Sequence, residues 1–211
     1  MSAAASERFS TAEGLVLDRQ PAGEHHLRLA FLTAEQGLLQ PFWRISRTQA
    51  KQAGEAPDLF DDGEFALERA RQGDGQFVKE FRLEKRRGDL ARNYAGFKAA
   101  SRLAAFVARN AGHLPETAAL LALTRTALDC LAEGAPAEVV HFKALVRICQ
   151  DEGYAVREQW LQGLEAALAT QARNFLATPL ADLPSELPDL RLLLESLEHW
   201  MRRGTDFYLD P

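Results

Sequence analysis

Hydrophobic and polar residues alternate in the first part of the chain and follow a helical period in the second part, with the change near Gly88. Before Gly88, apolar residues alternate or form short runs that Gly, Asp and Pro interrupt, a pattern typical of short β-strands. Several short strands this close together predict a small β-barrel or sandwich. The predicted β segments are 14–20, 26–33, 37–45, 59–70 and 76–85.

The second part of the chain predicts helices. Asp89 is a suitable N-cap for a helix that runs to about Asn110. Further helices are predicted at about 115–133, 136–153, 157–176 and 190–203, with Pro and Gly at their ends. The helix at 136–153 has apolar residues on almost every side, which places it at the centre of a helical domain.

Strands followed by helices favour an α+β fold with two segregated domains rather than an alternating β/α sheet. We expect a flexible N-terminal tail at 1–11, a β domain at 12–87 and a helical domain at 88–211.

Composition and charge narrow the class of protein. The chain has 211 residues, of which 46% are hydrophobic, and this is enough to bury a sizeable core. The net charge of −5 excludes a protein that coats nucleic acid through bulk positive charge, although local basic patches remain possible. The N-terminus lacks the features of a secretory signal and no apolar run reaches 18 residues, so we expect a cytoplasmic protein without a membrane span.

The sequence contains none of the standard motifs for nucleotide binding, metal binding or nucleophilic catalysis. The adjacent His25 and His26 would point to opposite faces of a strand, which is poor geometry for a metal. Cys130 and Cys149 lie among apolar helical residues and are interpreted as buried thiols. We therefore expect no enzyme activity, no catalytic residue, no metal site and no cofactor.

Positive charge gathers in the loop after Trp43, which carries Arg44, Arg47 and Lys51 without an acidic residue between them. An aromatic ring beside a basic loop is typical of single-strand binding, in which rings stack on bases and cations follow the phosphates. The alternative is that Trp43 belongs to the core.

A second cluster, Lys85, Arg86 and Arg87, ends the last β segment, and Arg69 and Arg71 precede the turn at 73–75. These cations could contact phosphates near the domain junction and join the loop in one cationic track. The alternative is that the cluster at 85–87 is simply a solvent-exposed strand end without a role in binding.

On the first predicted helix, Lys98, Arg102 and Arg109 fall within about 40° of each other at 100° per residue. This stripe could receive an acidic peptide or DNA. A charged stripe opposite an apolar face is also what the solvent side of an ordinary helix looks like.

Several short segments resemble, in order, those of the bacterial recombination mediator family RecO. They are EGLVL at 13–17, LRLAFLT at 27–33, EQGLL at 35–39 and the basic loop, followed by the helix at 141–147 with the Gly153-Tyr154 pair and the last helix at 192–203. The resemblance covers about 12–205, and it is carried by the order and spacing of individually weak motifs.

The resemblance implies an N-terminal OB-fold, a helical domain and a role in DNA repair and recombination. Proteins of this family bind and anneal single-stranded DNA and load recombinase together with RecR and single-stranded DNA-binding protein (SSB), whose acidic tail has an apolar tip. Many members carry a four-cysteine zinc site after the Gly-Tyr pair, and here Ala155-Val-Arg-Glu-Gln159 follows instead. The alternative is a protein-interaction module of the same fold with little or no DNA binding.

Overall fold

The protein has an α+β fold in which a six-stranded sheet precedes a set of helices. The computed structural model describes residues 8–45, 56–183 and 187–209. Within these ranges the strands are β1 (Phe9–Pro21), β2 (His26–Thr33), β3 (Gly37–Leu39), β4 (Phe42–Arg44), β5 (Asp62–Arg69) and β6 (Gln76–Lys85).

Five of these strands pair in a closed ring, in the order β1–β5–β6–β4–β2 and back to β1. The pairing of β4 with β6 is parallel and the other four pairings are antiparallel. The short β3 adds to β2 beyond the ring. Each of the five strands therefore has a hydrogen-bonded neighbour on both sides over at least part of its length.

The predicted segment at 37–45 forms two strands, β3 and β4, because Pro41 lies between them and has no N–H to donate. Its carbonyl oxygen accepts a hydrogen bond from Leu29 N at 3.0 Å, which holds the interruption against β2. β1 begins at Phe9, so residues 9–11, which were expected in the tail, belong to a strand.

Aromatic side chains fill the interior of the sheet. Phe31 and Phe65 are fully buried and stack with ring centroids 4.1 Å apart, and Phe65 lies 4.8 Å from Phe81. Val16 and Leu29 are buried beside them. Alternate residues of the strands thus build the core that the hydrophobic pattern predicts.

The helices follow the sheet in the predicted order. They are α1 (Tyr94–Asn110), α2 (Thr117–Ala132), α3 (Ala137–Asp151), α4 (Ala166–Ala177) and α5 (Leu190–Gly204), with a 3₁₀ turn at Gly88–Arg92, a π-helical turn at Val156–Leu161 and a short 3₁₀ turn at Leu180–Asp182.

The prediction that the helix at 136–153 is central is confirmed for α3. Nine of its residues are buried, and they lie on most of its circumference. The predicted helix at 157–176 is instead divided into the π-helical turn and α4.

The chain forms two compact units. The first contains the sheet up to Arg87 together with Ala111–Ala122, and the second contains Gly88–Asn110 and the chain from Leu123 onward. The segment Ala111–Ala122 was expected in the helical domain. Within the first unit, Thr117 Oγ1 donates a hydrogen bond of 2.8 Å to Ala34 O, which ties this segment to the turn after β2.

Among the described helices, none combines the length and the apolar character that a membrane crossing requires.

Candidate nucleic-acid interface

A groove of about 760 Å³ lies on the sheet, where the ends of four strands meet. We call it the aromatic groove. It is lined by His25, His26, Trp43, Arg44, Glu68, Phe77, Val78 and Lys79.

Strand pairing brings these residues together from distant parts of the sequence. His26 of β2 pairs with Arg44 of β4, and Trp43 pairs with Val78 of β6. Phe77 in turn pairs with Glu68 of β5. The aromatic groove therefore crosses β2, β4, β6 and β5 in their order in the sheet.

The aromatic rings form a partly exposed surface. The Phe77 ring centroid lies 5.7 Å from that of Phe42 and 6.1 Å from that of His26, which meets it edge to face. Trp43 is half-buried, with part of its side chain packed against the core cluster. Trp43 therefore belongs partly to the core, as the alternative interpretation expected, and also lines the aromatic groove.

A β-bulge directs Lys79 into the aromatic groove. Ala66 of β5 pairs with Glu80 and the next residue, Leu67, pairs with Val78, so Lys79 is an extra residue without a partner on β5. Bulges of this kind bend a strand and change the direction of a side chain. Lys79 Nζ lies 2.9 Å from Glu68 Oε2.

Glu68 is held by two cations, since Arg8 also forms an ion pair with it. The hydrogen bond from Lys79 and the charge of Arg8 lower the pKa of the Glu68 carboxyl, against the effect of its partial burial. One carboxylate thus orders two cations. The charged side chains that line the aromatic groove are Arg44, Lys79 and Glu68, so its lining carries one more positive than negative charge.

This arrangement suits an unpaired nucleic-acid strand. Partly exposed rings can stack on bases of any sequence, and cations beside them can neutralise phosphates. The acidic character of the whole chain does not oppose this locally, because screening limits the reach of exposed charges to about 8–10 Å at ordinary salt.

The basic loop that the sequence identified is only partly described. Arg44 is exposed in the aromatic groove, whereas Arg47 and Lys51 lie outside the described residues. Arg69, the last residue of β5, and Arg71, in the following turn, are both exposed.

The cluster at 85–87 is different from what the sequence suggested. Lys85 is exposed at the end of β6, but Arg86 donates hydrogen bonds through Nη2 and Nε to the buried carboxylate of Asp61, at 2.6 and 3.0 Å. The hydrogen bond with Asp61 raises the pKa of Arg86. The charge of Arg86 is therefore largely balanced within the protein.

Arg87 is only 6% exposed. Its Nη2 lies 2.8 Å from Asp62 Oδ2, and its Nη1 donates a hydrogen bond of 2.7 Å to Phe60 O. We leave Arg87 out of the proposed interface because a phosphate cannot reach a guanidinium enclosed in this way. Asp61 and Asp62 are the buried partners of this basic pair.

The sequence did not predict four of the rings and cations in the aromatic groove, namely His25, His26, Phe77 and Lys79. In a regular strand Phe77 and Phe81 would lie on the same face, but the bulge at Lys79 puts Val78 and Phe81 inside and Phe77 in the aromatic groove. The interruption of the alternating pattern at Val78 was the available signal.

The predicted stripe on α1 is also partly neutralised. Lys98 and Arg109 are exposed, whereas Arg102 lies 3.3 Å from Glu138 and 2.8 Å from Glu198. Arg102 thus ties α1 to α3 and α5.

A second groove, of about 670 Å³, lies in the helical unit, and we call it the basic groove. Four of its lining residues are cations and none of the described ones is acidic. The lining residues are Lys143, Val146, Arg147, Gln150, Arg157, Leu161, Gln162, Arg173, Leu176 and Ala177.

The basic groove brings together residues of α3, α4 and the π-helical turn. Lys143 and Arg147 are one turn apart on α3, Arg157 belongs to the π-helical turn and Arg173 to α4. Burial lowers the pKa of Lys143, whose ammonium group donates to Thr178 O. Arg147 pairs with Asp151 at 2.8 Å, whereas Arg157 and Arg173 are exposed.

The sequence did not reveal the basic groove because its cations come from separate segments. Only the spacing of Lys143, Arg147 and Gln150, which repeats at four and three residues, was a local sign of a polar face on α3.

Neither Cys130 nor Cys149 has the lowered thiol pKa of a reactive cysteine. Burial raises the pKa of Cys149 to about 12, and burial together with the nearby charges of Glu133 and Asp129 raises the pKa of Cys130. The residues that the structure describes contain no group of three potential ligands arranged to hold a metal ion.

No protein-family model matches this chain, and no curated protein matches it. The resemblance to RecO proteins therefore rests on the segments quoted above and remains a hypothesis.

Proposed function

We propose that this protein is a RecO-type accessory factor of DNA repair and recombination that binds single-stranded DNA in the aromatic groove. The ring of five paired strands supports an OB-type barrel, a five-stranded architecture whose sheet face and loops bind oligonucleotides. The observation that carries the proposal is the convergence of Trp43, Phe77 and His26 with Arg44 and Lys79 in one groove on that sheet.

Binding in this mode needs no cofactor. Bases stack on the partly exposed rings, and the cations beside them neutralise phosphates. Two strands whose phosphates are partly neutralised repel one another less, so complementary sequences pair more readily. This is the physical basis of the strand annealing that we propose.

The first test is the salt dependence of binding, measured by fluorescence anisotropy of a labelled oligonucleotide. If Arg44, Arg69, Arg71 and Lys79 each neutralise a phosphate, the slope of log K against log[salt] is about −3 for a single strand. Affinity then falls by roughly 50-fold between 50 and 200 mM salt. Binding that is absent, or insensitive to salt, contradicts the proposal.

Two variants locate the site. Phe77→Leu removes a stacking ring but keeps an apolar side chain, and we expect it to weaken binding by about 1–3 kcal/mol. The matched control is Tyr94→Leu, which removes a ring that is 81% exposed in the helical unit. Equal losses in both variants exclude the aromatic groove as the site.

The basic groove supports a second role, the docking of an acidic protein tail. Its cations and the apolar Leu176 and Ala177 of α4 match a peptide that combines carboxylates with an apolar tip. We propose the basic groove as the site for the SSB tail, in preference to the α1 stripe, where Arg102 is already paired. A RecR-like partner follows from the resemblance alone.

Binding of a labelled acidic peptide with an apolar C-terminal residue tests this role. We expect Arg157→Gln with Arg173→Gln to weaken binding at least about tenfold, as expected for loss of two charge-assisted hydrogen bonds. Arg191→Gln, at an 89% exposed arginine elsewhere in the unit, serves as the control. Peptide binding without DNA binding favours the protein-interaction module.

A further inference from the structure

The first half of β1 has a strand on one side only. Phe9–Leu15 pairs with β5, whereas β2 pairs only from Gly14 onward, because β2 ends at Thr33 and the chain turns away. Within the described residues, the edge of β1 at 9–13 thus lacks a neighbouring strand.

The main-chain groups of this edge point outward. Arg8 O accepts a hydrogen bond from Arg69 N, and Val16 N donates one to Asp61 O, each at 2.9 Å. The pairing of β1 with β5 has no register shift between these points, so the even-numbered residues face β5. In an antiparallel ladder the intervening residues face the other way. The N–H and C=O groups of Phe9, Thr11 and Glu13 therefore face the open edge.

A groove of about 330 Å³ runs beside this edge. Thr11 and Glu13 line one side of this groove, the turn at 33–36 lines the other side, and Glu64 of β5 completes the lining. An extended chain placed here would meet the free main-chain groups of β1 on one side.

The charge of this groove is negative. Glu13 and Glu64 are directly opposite each other on β1 and β5, an arrangement of like charges that destabilises a sheet. Glu64 is paired with Arg82 at 2.6 Å, but neither Glu13 nor Glu35 has a basic partner within the part of the chain that the structure describes. A cation beside Glu13 would relieve the repulsion.

We propose that this edge of β1 binds an extended basic segment of a partner protein, which adds a strand to the sheet. The main-chain groups of Phe9, Thr11 and Glu13 supply the hydrogen bonds, and the carboxylates of Glu13, Glu35 and Glu64 select lysine or arginine side chains. A second copy of this chain fits less well, because pairing two β1 edges brings Glu13 close to the same carboxylates of the other copy. The proposal is independent of DNA binding in the aromatic groove.

The test uses a fluorescein-labelled, acetylated peptide Lys-Thr-Lys-Thr-Lys and the full chain. We expect saturable binding, and no binding of the peptide Glu-Thr-Glu-Thr-Glu. Two N-methylated forms, one methylated at the threonine amides and one at the lysine amides, separate strand addition from simple charge attraction. In an added strand, alternate amides face β1, so one form loses affinity by at least about tenfold and the other does not. Equal affinity of the two forms overturns the proposal.

Protein variants provide the second arm. Thr11→Pro removes an N–H that faces the open edge and leaves the bonds to β5 in place, so it should abolish binding while the protein still melts cooperatively. Glu13→Gln with Glu35→Gln should weaken binding at least fivefold, and Glu80→Gln, an exposed glutamate on β6, should not. Unchanged binding in the Glu13/Glu35 variant overturns the proposal even if the proline variant does not fold. Formation of a dimer by sedimentation, in place of peptide binding, assigns the edge to a second copy and also overturns it.

Discussion

Individual buried polar residues determine much of this structure. Arg86 and Arg87 look alike in the sequence, as neighbours in a basic cluster, yet one is partly exposed and the other is enclosed with Asp62. A buried charge requires a partner of opposite charge. Asp61 pairs with Arg86, and Asp62 pairs with Arg87. The sequence contains both pairs, but 25 residues separate their members and nothing local shows that they meet.

His141 provides a prediction at the scale of one residue. It is 3% exposed on α3, and its Nδ1 has no hydrogen-bond partner among the described residues. Burial, with a smaller contribution from the charge of Arg102, lowers the pKa of His141 to about 3. In the unfolded chain the imidazole takes up a proton below its ordinary pKa of 6.5.

Between pH 6.5 and 3 the unfolded state therefore binds more protons at this position, so the free energy of unfolding falls as the pH falls. The contribution of His141 to this loss is about 2 kcal/mol between pH 6.5 and 4.5. Urea denaturation at the two pH values measures it. His141→Leu should reduce the difference by this amount, and an equal difference in both proteins would show that His141 is not responsible.

At the scale of secondary-structure elements, the hydrophobic pattern is sufficient to predict some strands and helices but not others. Alternation in β2 and the all-round apolar character of α3 predicted both elements and their burial, because each depends on side chains that are near in sequence. The break between β3 and β4 follows from Pro41, which lacks an N–H and was a local signal in the sequence. The bulge at Lys79 instead depends on pairing with β5. The π-helical turn at Val156–Leu161 was not predicted either, since local spacing does not distinguish it from an α-helix.

The close approach of β5 and β6 at Gly63 leads to a prediction about the stability of the sheet. A Cβ atom at Gly63 would lie 2.4 Å from Arg82 O and 2.4 Å from the ring of Phe81. Gly63→Ala should therefore destabilise the sheet by about 1–3 kcal/mol or more, since backbone cannot move aside cheaply. Thermal and urea denaturation measure the loss.

Gly88→Ala is the matched control, because a Cβ at that position meets nothing within 4 Å. If Gly63→Ala is as stable as Gly88→Ala, β5 and β6 are not packed as closely as described.

At the scale of the whole molecule, the candidate binding surfaces are divided between the two units. The sheet unit carries the aromatic groove and the open β1 edge, and the helical unit carries the basic groove. The net charge of −5 conceals these local differences. The sequence predicted Trp43 and Arg44 as binding residues because an aromatic and a basic residue are adjacent there. The other groove residues come from separate strands, so only the fold shows that they lie together.

The most direct test of the account is photo-cross-linking of a 5-iodouracil oligonucleotide to the full chain, followed by mass spectrometry of the linked peptides. We expect the links at the rings of the aromatic groove, namely His26, Trp43 or Phe77, and their loss in 1 M salt, where electrostatic binding is screened. Links found only in the helical unit, or none under conditions where the oligonucleotide is bound, would contradict the proposal that this sheet is a single-strand binding surface.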